Sequence, residues 1–237
     1  MGRKLWLVWI LAAGMVLALW LRTAESKKTR AVFVPGEAYS APPAQELAAT
    51  QTFALPYVLE DGGLVAEELV EYEGPYIEDG SHDPVKGVAA LMLYNSGNRD
   101  ISSGMVAVRQ GPRTLYFYVT WLPAGQRALV LAFDRAVYSR DAVTGCYSRG
   151  VRWECFYPAG EAVRVTEDGA LRVENYCAQA VTGVRLRYKT YIKEGDFYLG
   201  GITYSGYVGD LQSGESREVQ LEHYAAGCAK VVAVLTR

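Results

Sequence analysis

From about residue 60 onward, apolar and polar side chains alternate in short runs, the period of half-buried β-strands rather than of helices. Val70 and Tyr72 alternate with Glu71 and Glu73, and Leu115, Phe117 and Val119 with Tyr116, Tyr118 and Thr120. Val184, Leu186 and Tyr188 alternate with Arg185, Arg187 and Lys189, and Val219 and Leu221 with Glu218, Gln220 and Glu222. A Val-rich run over 230–235 reads as a strand buried on both faces. Further strands are predicted over 88–95, 105–109, 115–122 and 128–134, punctuated by Ser96-Gly97-Asn98 and Gly111-Pro112 turns. Regularly spaced short strands of this kind predict a mainly β chain of antiparallel sandwiches.

The alternation is itself repeated. Leu91-x-Leu93-x-Asn95 recurs as Leu171-x-Val173-x-Asn175, an aliphatic residue follows each Asn after six positions (Ile101, Val181), and Leu122-Pro-Ala-Gly125 recurs as Leu211-Gln-Ser-Gly214. The offset is 80 residues at the Asn and 89 at the Gly, so the second copy has a middle nine residues longer. Two tandem modules follow, 60–140 and 164–237, with a Cys-containing connector at 141–163. The longer middle holds Tyr191, Phe197, Tyr198, Tyr204 and Tyr207. Tyrosines pack well in sheets, but an insertion on a rigid scaffold is also where binding tends to be placed, so these five form a candidate surface.

The N-terminus reads differently. Arg3 and Lys4 precede an uncharged run over 5–21 with Trp6, Trp9 and Trp20 toward its ends. As a helix it would reach about 25 Å, the short end of a bilayer span, with Trp at the interfaces. Ala24-Glu-Ser26 makes a poor cleavage site, so residues 1–22 are expected to be an uncleaved single-pass anchor, and Pro35, Pro42, Pro43 and Pro56 make 23–59 an extended stalk.

Net charge is −2, yet six Lys or Arg lie in the first 30 residues against Glu25 alone, leaving about −7 beyond. No base occurs from 31 to 84, where nine carboxylates fall between Glu60 and Asp83. Without a basic footprint to displace phosphate counterions, nucleic acid is excluded as a partner. Bases on both sides of 5–21 blur the positive-inside signal; the β-rich body and four cysteines favour a body outside the bacterial cytoplasmic membrane. Of three disulfide pairings, Cys146 with Cys155 and Cys177 with Cys228 is favoured, one closing a small loop around Gly150 and the other stapling the first and last strands of the second module.

Chemistry-bearing patterns are sparse. His82 and His223 fall in different modules without an orienting acid, His82 in a turn before a strand and His223 at a strand end, so no catalytic residue is assigned. Asp79-Gly-Ser81-His82-Asp83 lacks the ligand spacing of a calcium loop, the cysteines lack zinc-site pairing, and Gly200-Gly201 reads as a bulge or turn; no metal and no cofactor are expected. The stripe Arg185, Arg187, Lys189 is either the wet face of a strand, set against Glu218 and Glu222, or a surface for an anionic partner.

The strand, Asn turn and Gly turn of 170–235 resemble the small immunoglobulin-like FxLYD modules of bacterial envelope proteins, with the FxLYD core replaced by Arg-Leu-Arg-Tyr-Lys. The soluble part is also similar to uncharacterised membrane-anchored proteins of Gram-positive anaerobes, in Glu60-Asp-Gly62, the Leu-Pro-x-Gly turn and Gly200-Gly-Ile-Thr-Tyr204. The resemblance implies two Ig-like β-sandwich modules behind an anchor and carries over no functional residue. The expected function is a non-enzymatic, membrane-tethered extracytoplasmic binding or scaffold protein whose partner is an envelope protein or glycan. The rivals are an enzyme acting on wall polymer and a membrane-associated sensor or assembly factor.

Overall fold

Nearly every alternating run becomes a strand, because each can bury its apolar face only by pairing edge to edge. A computed structural model describes residues 53–59, 63–155 and 162–237; the expected anchor and most of the stalk lie outside them. No helix of the described residues is long and apolar enough to cross a membrane.

The first half contains β1 (Tyr57–Val58), β2 (Leu64–Tyr76), β3 (Asp83–Asn95), β4 (Asp100–Gln110), β5 (Arg113–Leu122), β6 (Arg127–Leu131) and β7 (Val143–Glu154). They pair as β1-β2-β3-β6 and β5-β4-β7, and Leu91, Leu93, Phe117, Val119 and Leu131 are buried in one core drawn from both sheets. The second half contains β8 (Val163–Thr166), β9 (Arg172–Asn175), β10 (Val181–Ile192), β11 (Phe197–Leu199), β12 (Tyr204–Leu211), β13 (Ser216–Glu218) and β14 (Ala229–Leu235). Here β8-β9-β13 repeats β2-β3-β6, and β12-β10-β14 repeats β5-β4-β7, around a smaller core of Val173, Val184, Leu186, Val208 and Leu211.

The repeat is carried atom by atom. Buried Asn95 donates Nδ2 to the carbonyls of Arg99 and Leu122, and its Oδ1 accepts from Gly97 N. Buried Asn175 donates to Gln179, Leu211 and Gln212, and its Oδ1 accepts from Cys177 N. Gly125 N donates to Asn95 O, as Gly214 N does to Asn175 O. Each Asn closes its own turn with both Oδ1 and Nδ2 and holds the end of the facing sheet's strand with Nδ2, which is why Asn, Leu and Gly recur together while the rest drifts.

Two expectations are corrected. The span 141–163 is not only a connector: β7 is a full strand pairing along β4, and its period is hidden because, as a sheet edge, it buries little besides Cys146. Among the described residues no two cysteines lie at disulfide distance. Cys146 lies within β7 and Cys155 just past its end, so nine extended residues hold them roughly 30 Å apart. Cys177 lies by the Val181 end of β10, whereas the Cys228 carbonyl accepts from Tyr191 N at its other end, again roughly 30 Å away.

Candidate functional site

Within the longer middle, residues 193–196 make an exposed turn and Phe197–Leu199 form β11, which pairs antiparallel with β10 and parallel with β6, matching Tyr198 to Ala128 and Leu199 to Leu129, so a strand from the second half extends the first half's sheet. Tyr191 and Tyr198 are buried in the first half's core, their ring centroids 5.7 Å apart, and Phe197 packs against it. Burying two tyrosines there stabilises the joint by about 2 kcal/mol each.

Past β11 the chain runs through Gly200, at φ +78°, and Gly201. A Cβ on Gly200 would lie 2.3 Å from Ile77 Cδ1, and one on Gly201 only 1.6 Å from the Tyr118 carbonyl oxygen, so neither position admits a side chain. The close approach lets Thr120 N donate to Gly201 O at 2.8 Å. Gly201 N donates to both oxygens of Glu78 at 2.9 and 3.1 Å, and Glu78 also accepts from Leu131 N at 2.9 Å.

Lys189 closes the joint from the other side. It is wholly buried, and its Nζ donates to the carbonyls of Thr120 (2.9 Å), Gly201 (3.0 Å) and Ile202 (2.7 Å). The backbone of Gly201 therefore lies between a buried carboxylate, which takes its N–H, and a buried amino group, which donates to its carbonyl. Burial pushes the Lys189 pKa down against the attraction of Glu78, and pushes the Glu78 pKa up against its backbone donors and Lys189. Every Lys189 donor has an acceptor and both Glu78 oxygens have donors, so these groups are occupied in holding the halves together.

Beside the joint, the only two histidines of the chain meet. His82 and His223 stack with centroids 4.6 Å apart at 14°, each in the left-handed region, at φ 58° and 60°. Tyr204 OH is 2.9 Å from His82 Nε2. Burial raises the Tyr204 pKa to about 12, so the phenol keeps its proton. Burial first, then His223, lowers the His82 pKa, against the pull of Asp79. Tyr188 stacks on Tyr204 at 5.5 Å and donates to the Glu222 carbonyl. The turn at 79–83 is held by Arg135, whose Nη2 lies 2.6 Å from Asp79 Oδ2; hydrogen bonds from Ser81 and this ion pair lower the Asp79 pKa to about 2. Among the described residues no group of three or more His, Cys, Asp or Glu is placed to hold a metal.

The sequence-predicted residues thus scatter. Tyr191, Phe197, Tyr198, Tyr204 and Lys189 belong to the joint. Arg187 lies over the ring of Trp121, 5.5 Å from its centroid, across the same junction. Arg185 and Tyr207 remain on the surface, with the guanidinium 5.4 Å from the ring centroid. Neither arginine shares a sheet with Glu218, whose strand pairs with β9. Glu78 carried no motif in the sequence; only the juxtaposition with Gly201 and Lys189 singles it out. Comparison with protein-family models, with curated proteins and with solved structures gives no match to this chain.

Proposed function

We propose that the chain is a membrane-tethered, extracytoplasmic binding or scaffold protein of the bacterial envelope, in which two Ig-like β-sandwich modules are presented as one stiff unit. The observation that carries this reading is the use of the strongest candidate catalytic groups, Lys189 and Glu78, as fasteners on the Gly201 peptide. An amino group and a carboxylate engaged by backbone carbonyls and amides are not presented to a substrate, and a joint so fixed sets the spacing of whatever the two modules display.

Exposed Cys155 and Cys228 provide the test. On intact cells a membrane-impermeant maleimide labels both if the body lies outside the membrane. Labelling only after lysis overturns the extracytoplasmic part. Crosslinking of the full chain in its own membrane, followed by retrieval, is expected to yield one envelope component reproducibly, and turnover of wall polymer by the purified full chain would favour the enzyme instead.

A further inference from the structure

The outward rows of the two repeats carry an exposed tyrosine at the same position. On β4, β5 and β7 the register sets Met105, Tyr118 and Arg149 side by side, then Ala107, Tyr116 and Tyr147. On β10 and β12 it sets Arg185 beside Tyr207. Tyr118 and Tyr207 differ by 89 residues and Met105 and Arg185 by 80, the repeat's own offsets for these strands, so the two tyrosines occupy one position of the repeat. Both are exposed, at 45% and 63%. Phe133, exposed at 61%, meets Tyr118 edge-on at 5.0 Å, and Arg109 and Arg149 both lie over Tyr147. Arg187 over Trp121 joins the two faces.

Charge separates the same way. The four glutamates of β2 lie on the opposite sheet, whereas β4, β5 and β7 bear Arg109, Arg113, Arg149 and Arg152 against Asp100 and Glu154, which pair with each other at one end. Sheet packing alone would not place such exposed tyrosines at the same outward position of both repeats, since an exposed ring gains little by burial.

We propose that this strip binds an anionic glycan, with Tyr118 and Tyr207 as equivalent stacking platforms for sugar rings and the neighbouring arginines taking its carboxylate or phosphate groups. The proposal rests on the binding-protein reading and names its ligand. Two tyrosines at one position of a repeat fit a polymer whose units repeat, and aromatic rings on a face that also carries guanidinium groups fit one bearing both apolar ring faces and anions. An acidic peptide adding as a strand along β5 is disfavoured, because its outer edge is already engaged by Phe133 N at Tyr116 O and by Gly201 O at Thr120 N.

The test uses the full chain in nanodiscs of neutral phosphatidylcholine, titrated with polygalacturonate, a poly(hexose 1-phosphate), dextran and poly-glutamate. Expected is saturable binding of polygalacturonate or of the poly(hexose 1-phosphate), the first placing carboxylates and the second phosphates at the arginines. Dextran and poly-glutamate are expected not to compete. Tyr118→Ala and Tyr207→Ala should each weaken polymer binding by about tenfold or more through lost avidity, with an unchanged circular dichroism spectrum, since both rings are at the surface. A fragment too short to reach both platforms should bind wild type about tenfold more weakly than the polymer. Binding of neither glycan, equal binding of poly-glutamate, or a Tyr118→Ala/Tyr207→Ala double variant that binds as wild type overturns the proposal. If that double variant still retrieves the same envelope component from cells, the glycan assignment falls while the binding-protein reading stands.

Discussion

Replacing Gly201 by alanine tests the joint directly. The new Cβ would sit 1.6 Å from Tyr118 O, where contacts below 3.0 Å are not sustained, so the strap formed by residues 200–203 and β5 must part by about 1.4 Å. Neither side can yield cheaply. The strap is held by the Glu78 carboxylate and by Gly200 N donating to Leu129 O at 2.7 Å, and β5 is held by its ladder to β4. A shift of that size stretches the Thr120 N to Gly201 O bond beyond hydrogen-bonding range and disturbs the charge-assisted bonds of Glu78 and Lys189 to the same residue. One neutral bond and one to two charged ones amount to about 4 kcal/mol, a large fraction of the roughly 5–15 kcal/mol that stabilises a domain. Urea unfolding followed by the fluorescence of Trp121, at the joint, is expected to shift to lower denaturant or to split into two transitions as the halves uncouple. Gly145→Ala is the control, since its Cβ would meet nothing closer than Arg109 Cδ at 3.7 Å. A Gly201→Ala protein that unfolds within about 1 kcal/mol of wild type, in a single transition, would refute the account of the joint.

The histidine stack makes stability depend on pH: with the His82 pKa lowered below 6.5 in the folded state, the unfolded chain takes up more protons. Stability is therefore fully present above about pH 6.5 and is lost as the pH falls toward the folded pKa; His82→Gln should flatten that slope, and imidazole NMR should place His82 below 6.5. Asn95→Ala and Asn175→Ala each remove a buried side chain that satisfies turn carbonyls, and each should cost about 2–4 kcal/mol in denaturant unfolding, with amide exchange rising first at the corresponding turn. Denatured under non-reducing conditions the protein should show four titratable thiols, whereas in the native protein Cys155 and Cys228 should react first and Cys146 last because burial raises its pKa to about 12. Fewer than four would restore a disulfide.

The strands and their repetition were legible because a half-buried strand writes its period into the sequence, and because Asn95 and Asn175 must each be Asn to serve a turn and a strand end at once. The strand β7 was not, since an edge exposed on most of its length leaves no alternation to read. The cysteine pairing failed for a geometric reason. Sequence proximity of Cys146 and Cys155 means closeness in a loop but separation along a strand.

The sequence by itself determined the β class, the two-fold repetition, the turns at Asn and Gly, and the place where the second copy is longer, all of them local properties of alternation and turn chemistry. Only the tertiary structure decided what that insertion does. It makes β11 a strand of the first half's sheet, turns Lys189 from one member of a basic stripe into a buried clamp, and gives Glu78, without a motif of its own, the Gly201 amide to hold. It also stacked two histidines separated by 141 positions. A strand's period records which face is buried but not which partner buries it, and the partner here was the other half of the same chain.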